Sequence, residues 1–149
     1  MANHGFSVFD GDGHVLEDDD ELAAYYEGEY AGGTRMKGLG IFPSLDGWSR
    51  GPMLAAADSN RKYWHTDADV WSECLAQIGA EGSVLYPTAA LAHGLMRDAA
   101  FATATAIAYN NWLEDRYTTR DDRLFGAGCV PIQDPAAGAR EVRRCATAR

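Results

Sequence analysis

Positive charge is scarce in this chain: 13 lysines and arginines stand against 22 aspartates and glutamates, a formal net charge of −9. A phosphate backbone or an anionic membrane needs a basic face, so this shortage excludes nucleic acid and membrane surfaces as general partners. Cysteine is also sparse. Cys74, Cys129 and Cys145 are widely spaced, with no Cys-x-x-Cys pair, which excludes a disulfide framework and a thiolate zinc site and fits a reducing cytoplasm. No apolar run approaches the roughly 20 residues of a membrane helix. The first residues lack a basic segment followed by an apolar one, so no signal peptide is expected. Gly-rich phosphate loops, Gly-x-Ser-x-Gly elbows and His-Glu-x-x-His helices are absent as well.

What is present is an ordinary globular composition, 149 residues with 46% hydrophobic and 11% aromatic residues, enough for one domain with a core. FSVFD (6–10) is a short apolar strand closed by Gly-Asp-Gly. Residues 17–30 begin acidic and carry Leu22, Tyr25 and Tyr26, as a helix start does. Residues 31–65 break the pattern with glycine and proline yet hold Phe42, Trp48 and Met53, which points to a long packed loop. Thr66 and Asp69 form a capping box ahead of a helix with Val70, Trp71, Cys74, Leu75 and Ile78 on one side and Gly79 as its C-cap. GSVLYP (82–87) is a second strand, 97–123 the longest helical pattern, and LFGAGCVP (124–131) a third strand. A last helix has Asp134 as N-cap and Pro135 in its first position.

Strands that alternate with helices, each strand too apolar to face water, define an α/β protein with parallel strands. Ligands of such folds bind at the C-terminal ends of the strands. Strand one ends in DGDGHVLE. If the strand continues through the glycines, Asp10, Asp12 and His14 share a face, and a carboxylate with an imidazole two residues away suits one divalent cation. Glu17 is a third candidate ligand. The alternative reading is an ordinary Asp-Gly turn with an incidental histidine. Tyr86 and Thr88 end strand two, His93 follows it in a loop, and Gln133 follows strand three. Tyr109, Asn110, Asn111 and Trp112 read as a packing cluster with an amide tie, and Cys74 and Cys129 as inert core thiols.

Taken together, DGDGHVLE, GSVLYPT, AYNNWLEDR and DRLFGAGCVPIQDP resemble the amidohydrolase-related family of metal-dependent TIM-barrel hydrolases and decarboxylases, which includes aminocarboxymuconate-semialdehyde decarboxylase. The resemblance implies that residues 1–149 are the first three βα units of a (β/α)8 barrel, a truncated domain with 31–65 as a long loop. It implies a divalent metal, zinc first with manganese or magnesium as alternatives, held by Asp12 and His14 and with Glu17 as a further candidate. The family's later ligands and its acid–base histidine have no counterpart here. Trp48, Arg50, Tyr86 and His93 would contact the substrate, with Arg50 meeting a carboxylate. The function expected is then hydrolysis of a small carboxylated or cyclic substrate. The alternatives are non-oxidative decarboxylation by the same site, or an incomplete fragment that acts only by assembling with its own copies or a complementary fragment.

Overall fold

The computed structural model describes residues 5–32, 40–45 and 67–147. Most of the 31–65 loop, with Trp48 and Arg50, lies outside them, as do His4, His65 and Thr66. In chain order the elements are β1 (Phe9–His14), α1 (Asp19–Ala23), a 3-10 turn (Gly28–Tyr30), α2 (Ala68–Ile78), β2 (Gly82–Tyr86), a 3-10 helix (Ala89–Leu95), α3 (Ala99–Leu113), a π turn (Glu114–Thr118), β3 (Leu124–Gly126) and α4 (Pro135–Thr147). The strands form one small open sheet in the order β1-β2-β3, with both pairings parallel. The mixed α/β class with parallel strands is therefore as expected. No helix among the described residues is long and apolar enough to cross a membrane.

The chain divides into two compact units. One, residues 1–16, 46–88 and 113–127, contains the sheet and α2. Here β1 is longer and later than FSVFD suggested, because the glycines do not stop it: Phe9 pairs with Gly82 and His14 with Tyr86. Leu75, Leu85 and Leu124 are fully buried, each contributing roughly 1.5–3 kcal/mol. Helix α2 stops at Gly79 as expected, but its N-cap is Asp67, one residue after the expected Thr66. Asp67 Oδ1 accepts from the Val70 amide, and Gly79 takes the left-handed conformation (φ 72°) that a side chain resists. Cys74, expected in the core, is exposed, as is Ile78. The buried stripe of α2 is narrower than its sequence suggests, and Leu75 with Ala68 makes most of it. β3 stops at Gly126, five residues short of the expected end. A side chain at Gly126 would strike Leu113 Cδ2 at 2.6 Å, so the backbone is packed close there.

The strands also differ from expectation on one face. Phe9 is 51% exposed, Tyr86 38% and Phe125 37%, and the Phe9 and Phe125 rings lie 5.5 Å apart. Opposite them, Asp121 joins α2 to the start of β3. Its carboxylate accepts from Arg123 Nη2 at 2.6 Å, Arg123 Nε at 3.0 Å and Ser72 Oγ at 2.5 Å.

The second unit, residues 17–45, 89–112 and 128–149, is helical. The expected 17–30 helix is only α1, capped by Asp18, which accepts from the Asp20 and Glu21 amides; Gly28, at φ 62°, lies outside helical space. Helix α3 is buried almost all round, with Ala102, Thr105, Ala106, Ala108, Tyr109, Asn110 and Trp112 inside. The amide tie expected at Asn110 is present: Nδ2 donates to the Cys129 carbonyl and to Glu141 Oε1, while Oδ1 accepts from the Cys129 amide at 2.7 Å. Asp134 caps α4 through the Ala136 and Ala137 amides, as its sequence indicates.

Hydrogen bonds from Arg123 hold the Asp121 carboxyl well below the usual carboxylate range, with Ser72 adding to the effect and partial desolvation opposing it. Because the folded value is depressed, this contribution to stability is complete above the unfolded value and is lost as pH falls through the folded one. Asp121→Asn should therefore flatten the acid limb of the stability curve below about pH 4, read from urea midpoints between about pH 3 and pH 7. An unchanged acid limb would mean that the clamp does not act in solution.

Candidate metal site at the end of strand one

The ladder between β1 and β2 slips by one residue between Asp10 and Gly13. The expected common face for Asp10, Asp12 and His14 is therefore not formed. Asp10 lies on the side of Ser83, whose hydroxyl donates to it at 2.6 Å. Gly13 faces the same way, since a side chain there would meet Trp71 at 3.0 Å and the Val84 carbonyl at 2.9 Å. His14, paired with Tyr86, emerges on the opposite, exposed face. Asp12 lies inside the bulge with its side chain 93% exposed.

Asp12 and His14 nevertheless meet. Asp12 Oδ1 is 3.8 Å from His14 Nε2. The other ring nitrogen, Nδ1, is 2.9 Å from the Pro87 carbonyl and 3.4 Å from Thr88 Oγ1. A carbonyl oxygen can only accept, so the proton on Nδ1 is directed at Pro87. Nε2 of the neutral ring then carries a lone pair facing a carboxylate. Either a proton shared by the two groups or a metal cation between them satisfies this pair. A carbonyl that fixes the tautomer of a ligand histidine is the usual support of a metal site, so the donor set fits the strand-one share of such a site. The Tyr86 ring stands beside the imidazole, centroids 6.0 Å apart.

Glu17 and His93 are placed in the second unit. The Glu17 carboxylate is buried and accepts from the Ala89 amide at 2.8 Å and the Ala90 amide at 2.9 Å. It therefore caps the 3-10 helix, where negative charge offsets the unpaired amides, and its sequence position beside His14 does not reflect its partners. His93 is buried, and its Nε2–H donates to the Ala102 carbonyl at 2.7 Å. Gln133 Nε2 donates to the carbonyls of His93 and Met96. Burial pushes the His93 imidazole below its usual range, and the Ala102 bond partly opposes this. Cys129 is the buried thiol its sequence suggests; burial, with the Glu17 charge adding, pushes it up to about 12. Among the described residues no group of three or more His, Cys, Asp or Glu side chains is arranged to hold a metal ion. Sequence reasoning passed over the Asp10–Ser83 bond and the Pro87 carbonyl. The one signal for the former is a serine inside an otherwise apolar strand.

Neither protein-family models nor curated proteins give a match to this chain.

Two outcomes follow from this geometry. Glu17→Gln should cost about 1–3 kcal/mol in a denaturant melt, since one buried amide loses its charged acceptor, and should leave metal content unchanged. A loss of metal with no loss of stability would make Glu17 a ligand instead. The lowered His93 value means the folded state binds fewer protons than the unfolded one. Stability should thus decline as pH drops below about 6.5, and His93→Gln should remove that decline, as seen in thermal melts across the range. Persistence of the decline in the variant would assign it elsewhere.

Proposed function

We propose that this chain serves a metal-dependent hydrolase of the amidohydrolase-related kind, acting on a small carboxylated or cyclic molecule, with Asp12 and His14 as its strand-one metal ligands. The observation that carries the reading is the Pro87 carbonyl on His14 Nδ1, which leaves Nε2 facing Asp12. The parallel order β1-β2-β3 supports a second step, that these are the first three βα units of a (β/α)8 barrel. So does the exposed aromatic row of Phe9, Tyr86 and Phe125, because the inside of a closed barrel presents such side chains to one another.

In this reading Asp12 supplies an anionic oxygen and His14 a neutral nitrogen, a set suited to zinc first and to manganese after it. A metal bound there polarises a substrate carbonyl or lowers the pKa of its water towards ~7. The chain's own residues do the rest. Pro87 keeps the Nδ1 proton in place, and the Tyr86 ring stands along one side of the imidazole, where it limits ring rotation.

The test is metal content of the purified chain by elemental mass spectrometry beside an Asp12→Ala/His14→Ala double variant. Near-stoichiometric metal that disappears in the variant is the expected result. Absence of metal from the parent chain, or its retention in the variant, would overturn the assignment.

A further inference from the structure

Two hydrogen bonds lie directly behind the Asp12–His14 pair and have no part in the function proposed above. Ser83, fully buried in β2, donates from Oγ to Asp10 Oδ2 at 2.6 Å. Asp10 Oδ1 in turn accepts the backbone N–H of Asp12 at 3.2 Å. Both bonds act on the irregularity of β1. Between the Asp10–Ser83 and Gly13–Leu85 pairs, β1 spends Gly11 and Asp12 where β2 spends Val84 alone. An extra residue of this kind leaves a backbone group outside the ladder and redirects the side chains that follow. Here the Asp10 carboxylate takes up the amide of Asp12, the residue in the bulge.

The redirection has a definite result. In an unbroken strand Phe9 and His14, five residues apart, would project from opposite faces. With the bulge they share the face that also bears Tyr86. Remove the bulge and His14 turns to the side of Ser83 and Trp71, the space into which a side chain at Gly13 would project. Gly13 is part of the same device. A Cβ there would be driven into Ser83 Oγ, so the hydroxyl occupies the room that the glycine leaves.

We infer that Ser83 and Asp10 are positioning residues: they hold the β1 bulge and thereby bring His14, with Asp12 beside it, to the exposed face instead of the packed one. The consequence for metal binding rests on the function proposed above, whereas the bulge itself does not.

The experiment uses the full chain and two readouts, zinc titration by calorimetry and the backbone amide resonances of residues 11–14. Ser83→Ala should shift the Asp12, Gly13 and His14 amides and weaken zinc binding about 10–100-fold, the usual effect of losing a residue that supports a ligand. Asp10→Asn weakens the acceptor without changing its shape. It should act in the same direction, and it decides the matter if Ser83→Ala does not fold. Ser72→Ala, which removes a hydroxyl from the Asp121 clamp, is the stability control and should leave zinc affinity alone. Amide resonances that stay at their original positions in Ser83→Ala would overturn the inference. Shifted resonances with unchanged zinc affinity would overturn it too, since the bulge would then not aim the ligands. If the parent chain binds no zinc, the metal reading falls alone, and the amide resonances still decide the bulge.

Discussion

β2 is paired on both edges, and the site is built against it. Parallel neighbours cannot be joined by a tight hairpin, so no turn sets their register; side-chain fit does so instead. Two glycines show how. The Phe9 ring lies over Gly82, where a Cβ would come within 2.6 Å of it, and the Ser83 hydroxyl lies over Gly13. A slip of one residue would put a side chain where each of these groups now sits, so both contacts oppose it. At its far end β2 also provides the Pro87 carbonyl and the Tyr86 ring that flank His14. Register and site geometry are therefore set by the same strand.

The second unit is held together differently. Its interior contains Glu17, His93, Thr105, Asn110 and Glu141, and burying groups like these costs stability unless each finds a partner. Most partners are main-chain groups. Glu17 takes two amides, His93 a carbonyl, and Asn110 both polar groups of Cys129. Glu141 is the exception. Asn110 and Arg144 both donate to it, and they hold its carboxyl below the usual range against the desolvation that pushes it up. Bonds of this type rigidify a loop more than they stabilise a fold, because the net worth of each is small while the penalty for leaving one unmade is large. The segment after β3 is fixed in this way, by a helix side chain rather than by a ladder.

The features legible in the sequence were those with local causes. The end of α2 and the start of α4 follow from Gly79, Asp134 and Pro135, each acting within its own turn, whereas α2 is capped by Asp67 and not by the expected Thr66. The existence and order of the strands followed from short apolar runs, and the Asn110 tie from its place in an otherwise apolar helix. What could not be read depends on distant residues. Cys74 has helical spacing with Val70, Trp71 and Ile78, yet it is exposed because the buried stripe of α2 is narrow. Glu17 stands three residues from His14 in the chain, but its acceptors are satisfied by amides more than seventy residues further on. β3 ends at Gly126, where the Leu113 side chain from the end of α3 packs against the strand. For the site, the pair Asp12 and His14 was visible in the motif, whereas the direction in which they point was not.

That direction turns on a single extra residue. Strict alternation groups Asp10, Asp12 and His14, and the grouping makes chemical sense, with two carboxylates and an imidazole. The bulge divides them by task. Asp10 turns inward, where Ser83 and the Asp12 amide occupy its oxygens, so it is no longer a free ligand. Asp12 Oδ1 and His14 Nε2 lie 3.8 Å apart, with His14 on the same side as the exposed rings of Tyr86 and Phe9. A motif with three candidate ligands thus becomes two candidates and one carboxylate tied back to the sheet. An unbroken strand with this sequence would keep Asp12 and His14 on one face but turn that face to the packed side of the sheet, against Trp71. The extra residue is what allows a polar pair to stand at the end of an apolar strand without either member being buried.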